Sequence, residues 1–213
     1  MFFVLGIFSV YSLDSFSMSR GKPAPESQID TALLKDGDIL FIQSQTQQAA
    51  ALREATESVW THVGILIKDK TGWQVAEAIG PLKMTPIKDF ISRSKNKAFE
   101  VYRFKYFDPQ TMRSSLLAEL PKYNKPYDIY FEWNEDKIYC SELTYKVFMD
   151  VTGQEMGSIQ QMKEMRLDGP YVQALIDKRL TDIGKELNLE EPIVTPVSQM
   201  EDEDMLLIQK GTN

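Results

Sequence analysis

One cysteine, Cys140, and one histidine, His62, are all that a chain of 213 residues carries of either type. A lone thiol forms no intramolecular disulfide, and neither a cysteine cluster nor an imidazole-rich set is present to hold zinc or an iron–sulfur centre. Positive charge is also scarce, since 24 Lys and Arg against 31 Asp and Glu leave a net charge of -7. Nucleic-acid binding draws on a cationic surplus that is missing, and the same shortage argues against an anionic membrane surface as partner. No Gly-x-Gly-x-x-Gly or Gly-Lys-Ser/Thr string occurs, so nucleotide-binding folds gain no support and no cofactor is called for. Gly80-Pro81 and Gly169-Pro170 are turn signals rather than phosphate loops.

What is present suffices for a core. The chain is 43% hydrophobic, and its length fits one compact domain, expected over residues 19–213. Residues 1–13 are almost wholly apolar, which is shorter than the roughly 20 residues of a bilayer crossing. They fit the apolar region of a signal peptide, with Ser15-Phe16-Ser17 as a small-x-small cleavage point, although no basic residue precedes the run. Two other readings stand beside it: a segment docked on the domain, or an upstream mis-start with the true start at Met18. The first implies an exported, periplasmic or envelope-associated protein, and the last a cytoplasmic one.

Patterning predicts an α+β domain of five or six short, mainly antiparallel strands. A short helix is expected at 28–34, then a buried strand at Ile39-Leu40-Phe41-Ile42 and a helix over 47–58. A hairpin follows, with strands 62–68 and 73–79 joined by Asp69-Lys70-Thr71-Gly72. Residues 83–94 read as a strand edge and a short helix, and 99–104 as a strand. Pro109 to Tyr123 reads as an amphipathic helix with Met112, Leu116, Leu117 and Leu120 on one stripe. Further helices are expected at about 140–150, closing near Gly153, and at 170–188. Pro192 and Pro196 bound an extended segment, and 205–208 forms a last strand.

Chemistry concentrates at three residues. Cys140 falls at the expected start of a helix, where unpaired backbone N–H groups and the helix dipole favour the thiolate, which is the nucleophile. The bland alternative is a buried thiol acting as a small hydrophobe. His62 opens its strand directly after a loop. Pairing about the turn sets Lys68 opposite Trp73, Leu66 opposite Val75 and Gly64 opposite Glu77, so His62 and Glu77 share a face with a vacant glycine position between them. Alone, His62 reads as a surface or capping histidine and Glu77 as an edge carboxylate facing water. Together with the thiol they supply nucleophile, base and base-orienter.

The pieces Lys35-Asp36-Gly37-Asp38-Ile39-Leu40-Phe41, His62-Val63-Gly64-Ile65, Glu77-Ala78, Pro126-Tyr127-Asp128 and Tyr139-Cys140-Ser141-Glu142-Leu143, in that order, resemble the YiiX/YebB-like group. That group belongs to the circularly permuted papain-like hydrolases of the wider NlpC-type superfamily. The resemblance spans residues 35–150 and is consistent with the permutation, because His62 precedes Cys140 where ordinary papain-like enzymes have the nucleophile first. It implies a half-barrel or sheet packed on helices, with Cys140 as nucleophile, His62 as general base and Glu77 as third member. It also implies hydrolysis of small peptide or amino-acid amides, cell-wall peptides among them. Related lecithin:retinol acyltransferase-like proteins make lipid or ester acyl chemistry the alternative, and a silent ligand-binding relative is a further one.

The substrate wall is expected among Tyr127, Asp128, Tyr130, Phe131 and Tyr139, with Tyr127 or Tyr139 as second donor to an oxyanion; core packing is the competing reading for each aromatic. Asp128 is placed either to receive a substrate amine or to cap the turn after Tyr127. For the acyl reading, Tyr130, Phe131 and Trp133 would line an apolar trough. Glu201-Asp202-Glu203-Asp204 reads as a solvated loop, lacking the glycine and ligand alternation of a calcium loop.

Overall fold

The structure, a computed structural model, describes residues 29–180 and 184–211. The apolar run at 1–13 lies outside them, as does residue 28 of the expected first helix.

Six strands form one antiparallel sheet. They are β1 (Ile39–Ser44), β2 (His62–Asp69), β3 (Gly72–Ala78), β4 (Leu82–Pro86), β5 (Ser94–Phe104) and β8 (Met205–Gly211), in spatial order β4-β3-β2-β1-β5-β8. The hairpin register is the one the turn dictates, with Lys68 opposite Trp73 and Leu66 opposite Val75. A separate two-stranded ribbon pairs β6 (Gln160–Gln161) with β7 (Pro192–Ile193). The α-helices among the described residues are α1 (Gln47–Thr56), α2 (Ile87–Ser92), α3 (Pro109–Glu119), α4 (Cys140–Thr152), α5 (Pro170–Leu180) and α6 (Pro196–Met200), with 3-10 turns at Leu120–Tyr123 and Met162–Glu164.

Strand alternation buries both faces of the central sheet. Ile39, Phe41, Val63 and Ile65 point to one side, where Leu116, Leu143, Val147 and Phe148 of α3 and α4 cover them. Leu40, Ile42, Leu66 and Val75 point to the other, beneath Ile87, Phe90 and Ile91 of α2. Each of these side chains is less than a tenth exposed, and full burial of one such group contributes about 1.5–3 kcal/mol. Two opposed layers therefore clamp the sheet, and the site forms where β2 and β3 emerge between them.

Several expected elements differ. Residues 31–33 form a turn in place of a helix, because the Asp30 carboxylate takes the Ala32 N–H and the Asp30 backbone is tied to the Gln209 side chain at both ends. Leu117 is 36% exposed and leaves the stripe, which buries Leu116 and Leu120 and half-buries Met112. The helix there tightens into a 3-10 turn over Leu120–Tyr123, where Pro121 has no N–H to continue the α pattern. Helix α5 is described over Pro170–Leu180, residues 181–183 of the expected helix lie outside the described residues, and residues 185–188 have no helical structure. The extended segment between Pro192 and Pro196 is present, as β7 with Thr195 still extended, and beyond it Pro196 enters a helix that the patterning does not predict. The proline occupies the first turn of α6, capped by Thr195, whose hydroxyl takes the Ser198 N–H at 3.1 Å.

Candidate active site

Cys140 is the first residue of α4, and Tyr139 before it adopts the extended conformation of a helix N-cap. The helix starts here because the Glu142 carboxylate turns back to accept the Tyr139 N–H at 3.2 Å. The thiol is 2% exposed. Burial pushes it upward, but the His62 charge, a hydrogen bond from His62 and backbone N–H groups of Val63 and Ser141 outweigh that, so the thiol lies below its ordinary value. Val63 is the residue after His62, so the same strand supplies both the base and a donor to the sulfur.

His62 begins β2 and holds its ring between two partners. Its Nε2 lies 2.6 Å from Glu77 Oε2, and the Cys140 thiol is the other group whose charge and hydrogen bonding act on the ring. The ring stacks on Phe90 with centroids 5.4 Å apart and 28° between planes. Desolvation alone would lower its pKa; the Cys140 thiolate and the Glu77 carboxylate reverse this and raise it from 6.5 to about 9. The pair's interaction thus favours the thiolate and the imidazolium together.

Glu77 is fully buried on β3. Besides His62 it accepts the Thr85 hydroxyl at 2.6 Å and Arg93 Nη2 at 2.7 Å to each oxygen. Burial would raise its pKa, but these donors hold it down to about 2. Gly64 makes the approach feasible: a Cβ there would lie 2.4 Å from Val75 Cγ1 and 2.9 Å from the Ala76 carbonyl. Thr85 and Arg93 escaped the sequence reading. Thr85 sits on β4 opposite Val75, next to Glu77 along the ladder, so recognising β4 as a full strand was the signal that would have found it.

A cleft of about 240 Å³ opens beside His62, walled by Thr46, Gln48, Thr61, Ile79, Arg93 and Tyr127. Tyr127 is brought there by a parallel bridge to Ile138, two residues before the thiol, and by Gly80, where a Cβ would meet the Tyr127 backbone N at 2.7 Å. Its hydroxyl accepts Gln48 Nε2 at 2.7 Å, and burial with the nearby Cys140 charge raises its pKa well above the ordinary value.

The other expected wall residues lie elsewhere. Tyr139 is 2% exposed, and its hydroxyl accepts the Val194 N–H. Asp128 is fully buried, with one oxygen on the Tyr130 N–H and the other on the Glu132 N–H, so it caps the turn. Tyr130 and Phe131 line a neighbouring apolar groove with Leu52, Met162, Leu175 and Ile176, while Trp133 packs on Tyr145 outside it. The run 201–204 borders an open polar groove on residues other than those of the cleft.

A thiol paired with a buried imidazole and carboxylate, on a permuted order of histidine before cysteine, defines a papain-type thiol hydrolase architecture. The chain belongs to the permuted papain-like amidase enzymes of the YaeF/YiiX, C92 family, whose model matches residues 33–209, and it is a cysteine hydrolase. It is 35% identical over 161 residues to the uncharacterized protein YiiX of Escherichia coli K12, covering 75% of this chain and 78% of that one. The crystal structure of YiiX from Escherichia coli O157:H7, described as a metalloprotein, matches with a TM-score of 0.78 at 33% identity, over 84% of this chain and 98% of that one. Among the described residues of this chain, no three His, Cys, Asp or Glu side chains gather to hold a metal ion, so the residues present do not fit such a centre. Among the same residues no helix is long and apolar enough to cross a membrane.

Proposed function

We propose that Cys140, His62 and Glu77 act as a catalytic triad that hydrolyses amide bonds in small peptides or amino-acid amides. The observation that carries this reading is the His62 ring held between the Glu77 carboxylate at 2.6 Å and the thiol at the start of α4.

The thiolate attacks the amide carbonyl carbon, and the electron pair of the C=O bond moves to oxygen. The oxyanion meets the Cys140 backbone N–H, which is among the unpaired donors of a first helical turn. Tyr127 supplies the second donor: its hydroxyl already accepts from Gln48, so its own proton is left to give. Tyr139 is the poorer choice because its hydroxyl is engaged deep in the core. As the tetrahedral species collapses, the C–N bond breaks and imidazolium His62 passes its proton to the leaving amine, leaving the acyl group as a thioester on Cys140. Water then attacks the thioester with His62 taking its proton, and the acid and the thiolate are released. Glu77, anionic throughout, stabilises the imidazolium and fixes the ring.

One observation favours the acyl alternative: the apolar groove and the cleft at His62 share Leu52, so a long chain has a place continuous with that cleft. Mass spectrometry of the Cys140 adduct separates the readings, after exposure to cell-wall peptides, aminoacyl amides and phospholipids. An aminoacyl or peptidyl mass that disappears in His62→Ala supports the amidase, and a fatty-acyl mass overturns it.

A further inference from the structure

We propose that Arg93 forms an anion subsite in the cleft and that the amine released from the scissile amide carries a free carboxylate, as the C-terminal residue of a short peptide does. The inference deepens the amidase reading and rests on it.

The charge inventory of the cleft comes first. No Asp or Glu lies among the residues that line it, and its cations are His62 and Arg93. In a chain of net charge -7, a cleft with two cations and no acidic wall is a local site for an anion. Arg93 caps the C-terminal end of α2 and lies over the Phe90 ring at 5.0 Å, so its guanidinium is held in place before any ligand arrives. Only Nη2 is spent on Glu77; Nε and Nη1 make no hydrogen bond among the described residues, and the side chain is 40% exposed. A guanidinium offers five N–H donors in a planar fork that matches a carboxylate. Its idle edge is therefore a preformed donor site for a substrate anion.

The direction of the reaction then says which part of the substrate bears the charge. The general acid must face the departing nitrogen, so the His62 side of the cleft is the side of the leaving amine. Arg93 lies on that side, linked to His62 through Glu77. In a peptide with a free C-terminus the carboxylate stands two bonds from the departing nitrogen. A substrate with a free amine finds no counterpart, because Asp128 is buried and both its oxygens are engaged.

The test uses N-acetyl dipeptides, each prepared as the free acid and as the C-terminal carboxamide. Binding is measured to Cys140→Ala protein and turnover with the wild type. The acid should bind, and be cleaved, about 10-fold better than the carboxamide, with the preference falling as salt rises. Arg93→Gln should abolish the preference, and Arg93→Lys should restore part of it. Because Arg93 also supports Glu77, the acid-to-carboxamide ratio is the readout, since damage to the triad lowers both rates alike. Equal treatment of acid and carboxamide, binding of neither, or a preference that survives Arg93→Gln would overturn the subsite. If Arg93→Gln does not fold, the wild-type ratio and its salt dependence decide. Preference in binding without wild-type turnover would keep the subsite and sink the amidase reading, while turnover without preference would do the reverse.

Discussion

Glu77 and Glu142 are both fully buried beside the site, yet their pKa values are pushed in opposite directions. Glu77 receives His62, Thr85 and Arg93, which overcome burial and lower its pKa to about 2. Glu142, two residues after Cys140, has the Tyr139 backbone N–H and the Lys146 ammonium at 2.9 Å, and burial prevails, raising it to about 7. Depth is the same in the two, so the number and charge of the donors decide the outcome. Glu77 is consequently an anion at any working pH and stabilises an imidazolium. Glu142 shares its carboxylate between a helix start and Lys146, which itself reaches on to Glu135 at 2.8 Å.

That contrast can be broken or sharpened in order of expected effect. The largest belongs to Cys140, which Glu77 reaches through His62: Cys140→Ala should reduce turnover by at least about 1,000-fold. Glu77→Gln comes next. It keeps the shape and an acceptor but removes the charge, so turnover should fall by about 10- to 100-fold and the loss of activity at high pH should begin lower than in the wild type, because His62 no longer has its anion. In the wild type that loss should centre near pH 9, as His62 gives up its proton. Equal effects of Glu77→Gln and Glu142→Gln on turnover would erase the distinction between the two carboxylates.

Gly64→Ala tests the close approach of β2 to β3 beside the His62–Glu77 contact. A methyl group there must displace Val75 or the Ala76 carbonyl, and such overpacking costs about 1–3 kcal/mol. The urea midpoint should drop and turnover with it.

The smallest effect is at Glu142. The folded chain keeps this proton up to about pH 7, whereas the unfolded chain releases it near its ordinary value of 4.5. Across that window the native state binds more protons, so its stability declines as pH rises. Glu142→Gln cannot titrate and should lose less stability than the wild type between pH 5 and pH 8, by on the order of 1 kcal/mol, read from urea midpoints. A parallel decline in both proteins would mean that Glu142 is ionised throughout.

The hairpin was legible because its four-residue turn fixes the register, and register fixes which side chains share a face. That placed His62 beside Glu77, and the helix period after Tyr139 placed Cys140 at a helix start. The loop from Pro126 to Trp133 was not legible in the same way. Its aromatic side chains are distributed by turn hydrogen bonds at Asp128 and by a bridge to Ile138, neither of which has a period. Arg93 and Thr85 were hidden for a related reason, since they converge on Glu77 from β4 and the end of α2 through tertiary packing. Thr195-Pro196 bounds the extended segment and also carries a helix-start signal, a capping threonine followed by proline, for the short α6.

The central claim is the Cys140–His62 ion pair, and the pH dependence of Cys140 alkylation by iodoacetamide tests it most directly. Because the thiol is only 2% exposed, the ratio of rates at pH 6 and pH 8.5 within one protein is the quantity to measure, since access cancels from it. The account predicts a wild-type rate at pH 6 within about threefold of that at pH 8.5, and a steep dependence in His62→Ala. A wild-type rate that climbs about 10-fold per pH unit over this range, as for a free thiol of pKa near 8.5, and that is unchanged by His62→Ala would contradict it.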